Sequence, residues 1–353
     1  MSRSSERSRI LRSRVAQYLV IGMIAAASYA AFGGPPSNFV TIDGSIINVA
    51  NNAGPPFDWA NGGTLTTPSS SDLTAAGQWS RGGFGGLFNN GAYVSATATP
   101  TPPSFIASDN NILGHEFVVP PLGNDITQCT SSTTATGPIT SFTSSNKNGD
   151  PISSETWGAG SVTSKDVLTN VYAISHVTGS VNEAFFGAER GDNNGDSHVD
   201  FEFTQVPMTT NALPSGCAPN TGGTFSGHRS MGDLLVSLDF GNGGSSSGVT
   251  VLQWQCNPGG TEPAQGTICD PSHNTPPTYV DVTSSISNSA TAHANDGGAT
   301  GCGGWVCRTS GGSPVTEVAQ NDFTEGGINF ADAGFTGCFA SMVAHSQIGR
   351  AHV

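Results

Sequence analysis

Charged residues are scarce in this chain of 353: they make up 11% of it, and Lys and Arg together number 12. An average soluble domain carries roughly a quarter. That scarcity excludes helical bundles and coiled coils, which need long periodic runs of Ala, Leu, Glu, Lys and Arg. Beyond residue 30 there is no Lys/Arg cluster, which excludes a surface built for nucleic acid. No Cys-x-x-Cys pair occurs and His is not grouped near cysteine, so a zinc centre is a poor fit. No repeat of 20 to 50 residues is visible, which argues against a solenoid. What is abundant is Gly (47) and Pro (21), about a fifth of the chain, with much Ser, Thr and Asn. The hydrophobic share is 36%, including 18 Phe and 5 Trp, and that apolar content excludes a disordered polar chain. The composition predicts an all-β protein, an antiparallel β-sandwich or jelly roll with long loops rich in Ser, Thr, Gly and Pro.

The N-terminus has the form of an export signal. Arg3, Arg7, Arg9, Arg12 and Arg14 precede an apolar stretch from Val15 to about Phe32, and Gly33-Gly34-Pro35-Pro36 closes it. Ser28-Tyr29-Ala30 supplies a small-x-small cleavage site. The alternative is an uncleaved membrane anchor, since the stretch is near the lower length for spanning. Either way the remaining chain is expected outside the cytoplasm, touching a membrane only through this segment. The leader's five arginines against Glu6 carry +4 of a formal net charge of −14, so the rest stands at −18. Residues 31–345 read as one domain with a loop-rich insertion at about 61–160. The last six residues, Ile348-Gly349-Arg350-Ala351-His352-Val353, are what ATC-GGA-AGA-GCA-CAC-GTC encodes, a common sequencing-adapter string. Residues 346–353 are therefore expected to be a non-native tail on a truncated chain.

Several segments alternate with the period of two of a half-buried strand. Runs at 167–177, 181–190 and 198–206 are joined by Thr178-Gly179-Ser180 and by Gly191-Asp192-Asn193-Asn194-Gly195-Asp196, the pattern of an antiparallel meander. In the third run Val199, Phe201 and Phe203 share one face, and Asp200, Glu202 and Thr204 share the other. Leu234, Val236, Leu238 and Phe240 open a further hairpin that returns from Val249 to Cys256. A strand into a turn is expected over Phe39–Ile46, short strands over Val315–Phe330, and one helical turn at Asn329–Ala333.

All seven cysteines lie in the exported part, where disulfides are the simplest reading. Cys256 with Cys269, across a Pro/Gly-rich loop, and Cys302 with Cys307, around Gly-Gly-Trp-Val, are the expected pairs. Cys129, Cys217 and Cys338 are left with no assignment, and the odd count leaves one thiol over. Asp192, Asn194 and Asp196 place oxygens at alternate positions, as calcium loops do. Ser197 and Phe203 break the EF-hand pattern, and a hairpin turn uses the same residues. Both readings stay open, with calcium the one cofactor in view. Trp59, Trp157, Trp254 and Trp305 could stack on sugar rings, with Trp59 and Trp157 the candidates named for binding; core or disulfide-covering roles are the other reading for all four, most firmly for Trp254. Asp200 and Glu202 would stand about 7 Å apart on one strand, a separation that suits an inverting glycosidase, yet a solvated sheet face predicts the same residues. Gly244-Ser245-Ser246-Ser247-Gly248 matches the nucleophile-elbow string but joins two strands, where the elbow needs a strand-to-helix turn. His115, His176, His198 and His228 show no metal spacing. No catalytic residue is therefore assigned.

A set of motifs carries a resemblance: Lys165 to Ala173, Phe186-Gly187-Ala188-Glu189-Arg190, Asn194-Gly195-Asp196, Val199 to Phe203, Gly232 to Val236, Asp239-Phe240, Val251 to Trp254, Gly326 to Asn329, and Cys338 to Ser341. Together they resemble the N-terminal β domain of large secreted bacterial surface proteins of the actinobacterial type. Asp43-Gly44 and Trp59, with the later Asn-Gly-Asp turn, are more distantly similar to carbohydrate-binding and DOMON-type sandwiches. The resemblance implies a place and a class: an exported structural or adhesion-type cell-surface protein without enzymatic activity. The alternative is an extracellular carbohydrate-binding module stabilised by calcium. The partners it implies are an extracellular glycan or a surface protein.

Overall fold

The computed structural model describes residues 35–37, 39–46, 57–60, 86–89, 104–105, 111–118, 141–142, 148–158, 163–178, 181–210, 223–241, 246–269, 277–286, 288–302, 305–331, 335 and 339–347. The leader, the last six residues, most of the 61–160 insertion, and Cys129, Cys217 and Cys338 lie outside these. Among the described residues the protein is all-β, with no helix of seven or more residues. No helix among the described residues is long and apolar enough to cross a membrane.

Ten strands build two five-stranded sheets. They are β1 (Ile112–Val118), β2 (Leu168–Thr178), β3 (Val181–Arg190), β4 (Ser197–Thr204), β5 (Leu234–Gly241), β6 (Ser246–Gln255), β7 (Thr278–Asp281), β8 (Ala290–Ala294), β9 (Phe323–Asn329) and β10 (Ser341–Gln347). The first sheet runs β8-β9-β3-β2-β1 and the second β7-β6-β5-β4-β10. Every neighbouring pair in them is antiparallel. The expected meander is present as β2, β3 and β4, but β4 leaves its neighbours and joins the second sheet.

Alternation explains the core. Ala184, Phe186 and Ala188 of β3 share one hydrophobic cluster with Val199, Phe201 and Phe203 of β4 and Leu234, Val236, Leu238 and Phe240 of β5. The Phe186 ring meets that of Phe201 with centroids 4.4 Å apart, across from one sheet to the other. One face of each sheet thus enters a common core, an arrangement compatible with a two-layer sandwich. Each of these Phe and Leu side chains contributes about 1.5–3 kcal/mol by leaving water, before entropy costs.

Three expectations need correction. The outer face of β4 is not solvated: Asp200 and Glu202 are 1% and 2% exposed, and Thr204 is buried too. A further layer covers it, in which Ile152, Trp157, Met208 and Phe225 pack with Val343 of β10. The helical turn expected from Asn329 begins instead as the last residue of β9. Phe39–Ile46 makes no ladder. Its one bridge joins Val40 to Phe57, and the Ala60 N–H donates to the Ile46 carbonyl at 2.8 Å.

Candidate functional site

Three groups of buried charges mark where the molecule departs from an ordinary apolar fold. Carboxylates and guanidinium groups are almost never fully buried unless paired, so each group demands its partners. The first lies on the outer face of the second sheet, around Arg229. Its Nε donates to Glu202 Oε1 at 2.6 Å, and its Nη2 donates to Glu202 Oε2 at 3.2 Å and to Glu155 Oε1 at 3.1 Å. Nη1 donates to the Asp150 carbonyl at 2.5 Å. The Tyr279 hydroxyl gives Glu202 Oε1 a further bond at 2.8 Å. The guanidinium also lies 5.2 Å from the Trp254 ring centroid.

One cation thus serves two glutamates, and their protonation separates accordingly. Burial pushes the Glu202 carboxyl up, but the Arg229 charge and hydrogen bonds pull harder and hold it below its ordinary value. Glu155 keeps a single long bond to the same guanidinium, and burial, with Glu202 beside it, raises it to about 8. At neutral pH the cluster is therefore a guanidinium, a carboxylate and a carboxylic acid, with no net charge. On the same face His345 Nδ1 stands 3.7 Å from Asp200 Oδ2, and His198 Nδ1 stands 3.2 Å from Asp239 Oδ1.

The second group occupies the turn after β3. Here the calcium reading of Asp192, Asn194 and Asp196 finds another geometry. Asp192 Oδ2 accepts from Ser164 Oγ at 3.0 Å, and Oδ1 accepts from the Asn194 N–H at 3.1 Å, closing an Asx turn. Lys165 Nζ donates to the Asp196 carbonyl at 2.5 Å. The buried positive charge at this end is Arg190, whose guanidinium stacks 3.9 Å over the Phe240 ring and whose Nε donates to the Asn321 carbonyl at 2.9 Å. Burial lowers the Arg190 pKa while Asp322, Asp166 and Asp192 pull it back up. Burial also raises Asp322 to about 7 against the Arg190 charge. Among the described residues no three His, Cys, Asp or Glu side chains are grouped to hold a metal.

The third group lies on the outer face of the first sheet. Glu325 of β9 accepts from the N–H groups of Asp43 and Gly44 on Oε1, at 2.8 and 2.6 Å, and from the Trp59 indole on Oε2 at 2.7 Å. Glu189 of β3 accepts from the Trp305 indole at 3.0 Å and from Asn170 Nδ2 at 2.7 Å. Burial raises Glu325 to about 8 and Glu189 to about 7, in each case against hydrogen bonds that favour the anion.

Trp59 and Trp157, the candidates for stacking on sugar rings, lie inside the protein. Their exposures are 0% and 3%. Trp59 lies 4.8 Å from the Tyr172 ring, and Trp157 is packed among Ile152, Met208 and Phe225. Neither indole presents a face to a ligand. Trp254, the firmest expected core residue, is buried, and so is Trp305. Both expected disulfides are present, Cys256–Cys269 and Cys302–Cys307, and the second closes a ring that turns Trp305 inward. Ser246, Ser247 and Gly248 of the elbow string pair within β6 against β5, and residues 244–245 lie outside the described set. His176 is buried, stacked 3.7 Å from Phe39, whereas His115 is exposed.

Sequence reasoning missed Arg229, Glu155, Arg190, Glu189 and Glu325. A signal existed for the arginines. In an acid-rich chain with few cations, Arg190, Arg229 and Arg308 are each followed or preceded by buried strands, and all three are buried. Compared with protein-family models, with curated proteins and with solved structures, the chain finds no match.

Proposed function

We propose that this chain is an exported cell-surface domain with a structural or adhesive role and no catalytic activity. The observation that carries the reading is how the buried acids are used. Glu202, Glu325 and Glu189 are each committed to fixed side-chain or backbone donors. A general acid or nucleophile has to meet substrate instead. The disulfides, the basic-apolar leader and the motif resemblance support the extracellular place. Among the described residues Ile268 is the one large apolar side chain exposed, in keeping with a domain that stands in water.

Two assays on the exported protein, fluorescently labelled, test this. Incubation with a panel of bacterial and plant polysaccharides is expected to release no reducing ends. Release that disappears in a folded Asp200→Asn or Glu202→Gln variant would replace the reading with a glycan hydrolase. On a glycan array, reproducible saturable binding would move the assignment to a carbohydrate-binding module.

A further inference from the structure

Arg229 directs one of its donors at a backbone carbonyl, and that carbonyl belongs to a chemically weak peptide bond. Nη1 donates to the Asp150 carbonyl at 2.5 Å, and the residue that follows is Pro151. The guanidinium is fixed where it stands. Nε and Nη2 are bonded to Glu202, Nη2 also to Glu155, and the side chain is buried. Pro151 is anchored from the other side as the cap of the one-turn 3-10 helix Ile152–Ser154. The Ser154 N–H and Oγ both donate to its carbonyl at 2.8 Å. Asp150 and Pro151 themselves are only half-buried, so water reaches them. Among the described residues no hydrogen bond occupies the Asp150 carboxyl.

We propose that the Asp150–Pro151 bond is a self-cleavage site: the Asp150 carboxyl attacks its own carbonyl carbon, and Arg229 holds the charge that develops on the carbonyl oxygen. The attack closes a cyclic anhydride. The new bond runs from Asp150 Oδ to the carbonyl carbon, the C–N bond breaks with its electron pair going to nitrogen, and the carboxyl proton goes to Pro151 N. Water then opens the anhydride and leaves Asp150 as a C-terminus and Pro151 as an N-terminus. One carboxyl supplies both nucleophile and proton, so water is the sole co-reactant. Proline suits the leaving side because its nitrogen carries no N–H and, as a tertiary amide, takes a proton more readily than an ordinary peptide nitrogen. A donor fixed in advance at the oxygen needs no reorganisation when charge appears there. A guanidinium gains more from that charge than a neutral N–H does.

The cut falls in the covering layer, between β1 and β2, and both pieces keep their hold on each other. β1 stays paired along β2, and Asp43, Gly44 and Trp59 stay bonded to Glu325. The product is a nicked, two-chain domain. The cleavage is independent of the structural or adhesive reading, since the chain acts once on itself and not on a substrate.

Mass spectrometry of the purified chain, incubated in mildly acidic buffer and then reduced and denatured, tests it. One fragment ending at Asp150 and one beginning at Pro151, together one water heavier than the intact chain, are expected. They should form about a hundredfold faster than in the same chain held unfolded in urea, the factor a single oxyanion donor supplies. Asp270–Pro271, the other Asp-Pro bond of the sequence, calibrates the unfolded rate. The double variant Arg229→Met with Glu202→Leu keeps Asp150 and Pro151 without the guanidinium and is expected to cut at the unfolded rate. Asp150→Ala is expected to leave the bond intact. Cutting of the folded wild type no faster than in urea, a folded double variant as fast as wild type, or cleavage in Asp150→Ala would each overturn the proposal.

Discussion

Replacing Arg229 with methionine is expected to lower the unfolding free energy by about 3–5 kcal/mol, the cost of leaving buried charge without its partner. Methionine fills similar volume and keeps contact with Trp254 and Tyr279, so the loss reports charge rather than a cavity. Glu202 then keeps the Tyr279 hydroxyl but loses the two guanidinium bonds at 2.6 and 3.2 Å. Glu155 suffers less, because it is already held as the neutral acid at pH 7. The double variant Arg229→Met with Glu202→Leu is expected to recover most of the loss, since removing both members of a buried pair is often close to neutral. Urea titrations at pH 6 followed by intrinsic fluorescence measure both. Equal stability of the single variant and wild type would show that Arg229 does not fasten the covering layer.

The second large effect is expected at Gly187, in the middle of β3. A Cβ placed there would stand 2.5 Å from Tyr172 Cε2 and 3.1 Å from Cδ2. Tyr172 is the cross-strand neighbour of the glycine, and its ring covers the gap that the missing side chain leaves in the sheet. It has nowhere to retreat: Trp59, Trp305 and Phe323 stand 4.8, 5.3 and 6.2 Å away between centroids. Gly187→Val is therefore expected to cost about 3 kcal/mol, the upper end of overpacking. The denaturation midpoint should fall with an unchanged slope. A variant as stable as wild type would mean that the ring is free to move.

The strands were legible where one face is apolar and the other is not. Val199-Asp200-Phe201-Glu202-Phe203 shows its period directly, and β3, β5 and β6 fall close to where the alternation places them. The same alternation misled about what lies outside. A run of Asp and Glu reads as solvated, and nothing local says that Arg229 will cover Glu202 from 27 positions away or that Glu155 will meet Arg229 from 74. Trp59 and Glu325 are 266 positions apart, a pairing that only the packed sheets create. Gly187 likewise looks like a weak point in a strand until the ring of Tyr172 is set on it. The disulfides were readable because their loops are short, with separations of 13 and 5. The sequence reading assigned Arg190, Arg229 and Arg308 no role, although all three are buried.

The melting temperature of Glu202→Gln at pH 6 bears most directly on the idea that the buried acids fasten this fold and do not act on a substrate. Glutamine keeps the shape but gives up the charge opposite Arg229, and a hydrogen bond to a charged group is worth about 1.5–3 kcal/mol. A fall of about 4 °C or more is expected. Residues kept for chemistry are commonly strained, and their replacement often stabilises. A melting temperature equal to or above that of the wild type would contradict the fastening role.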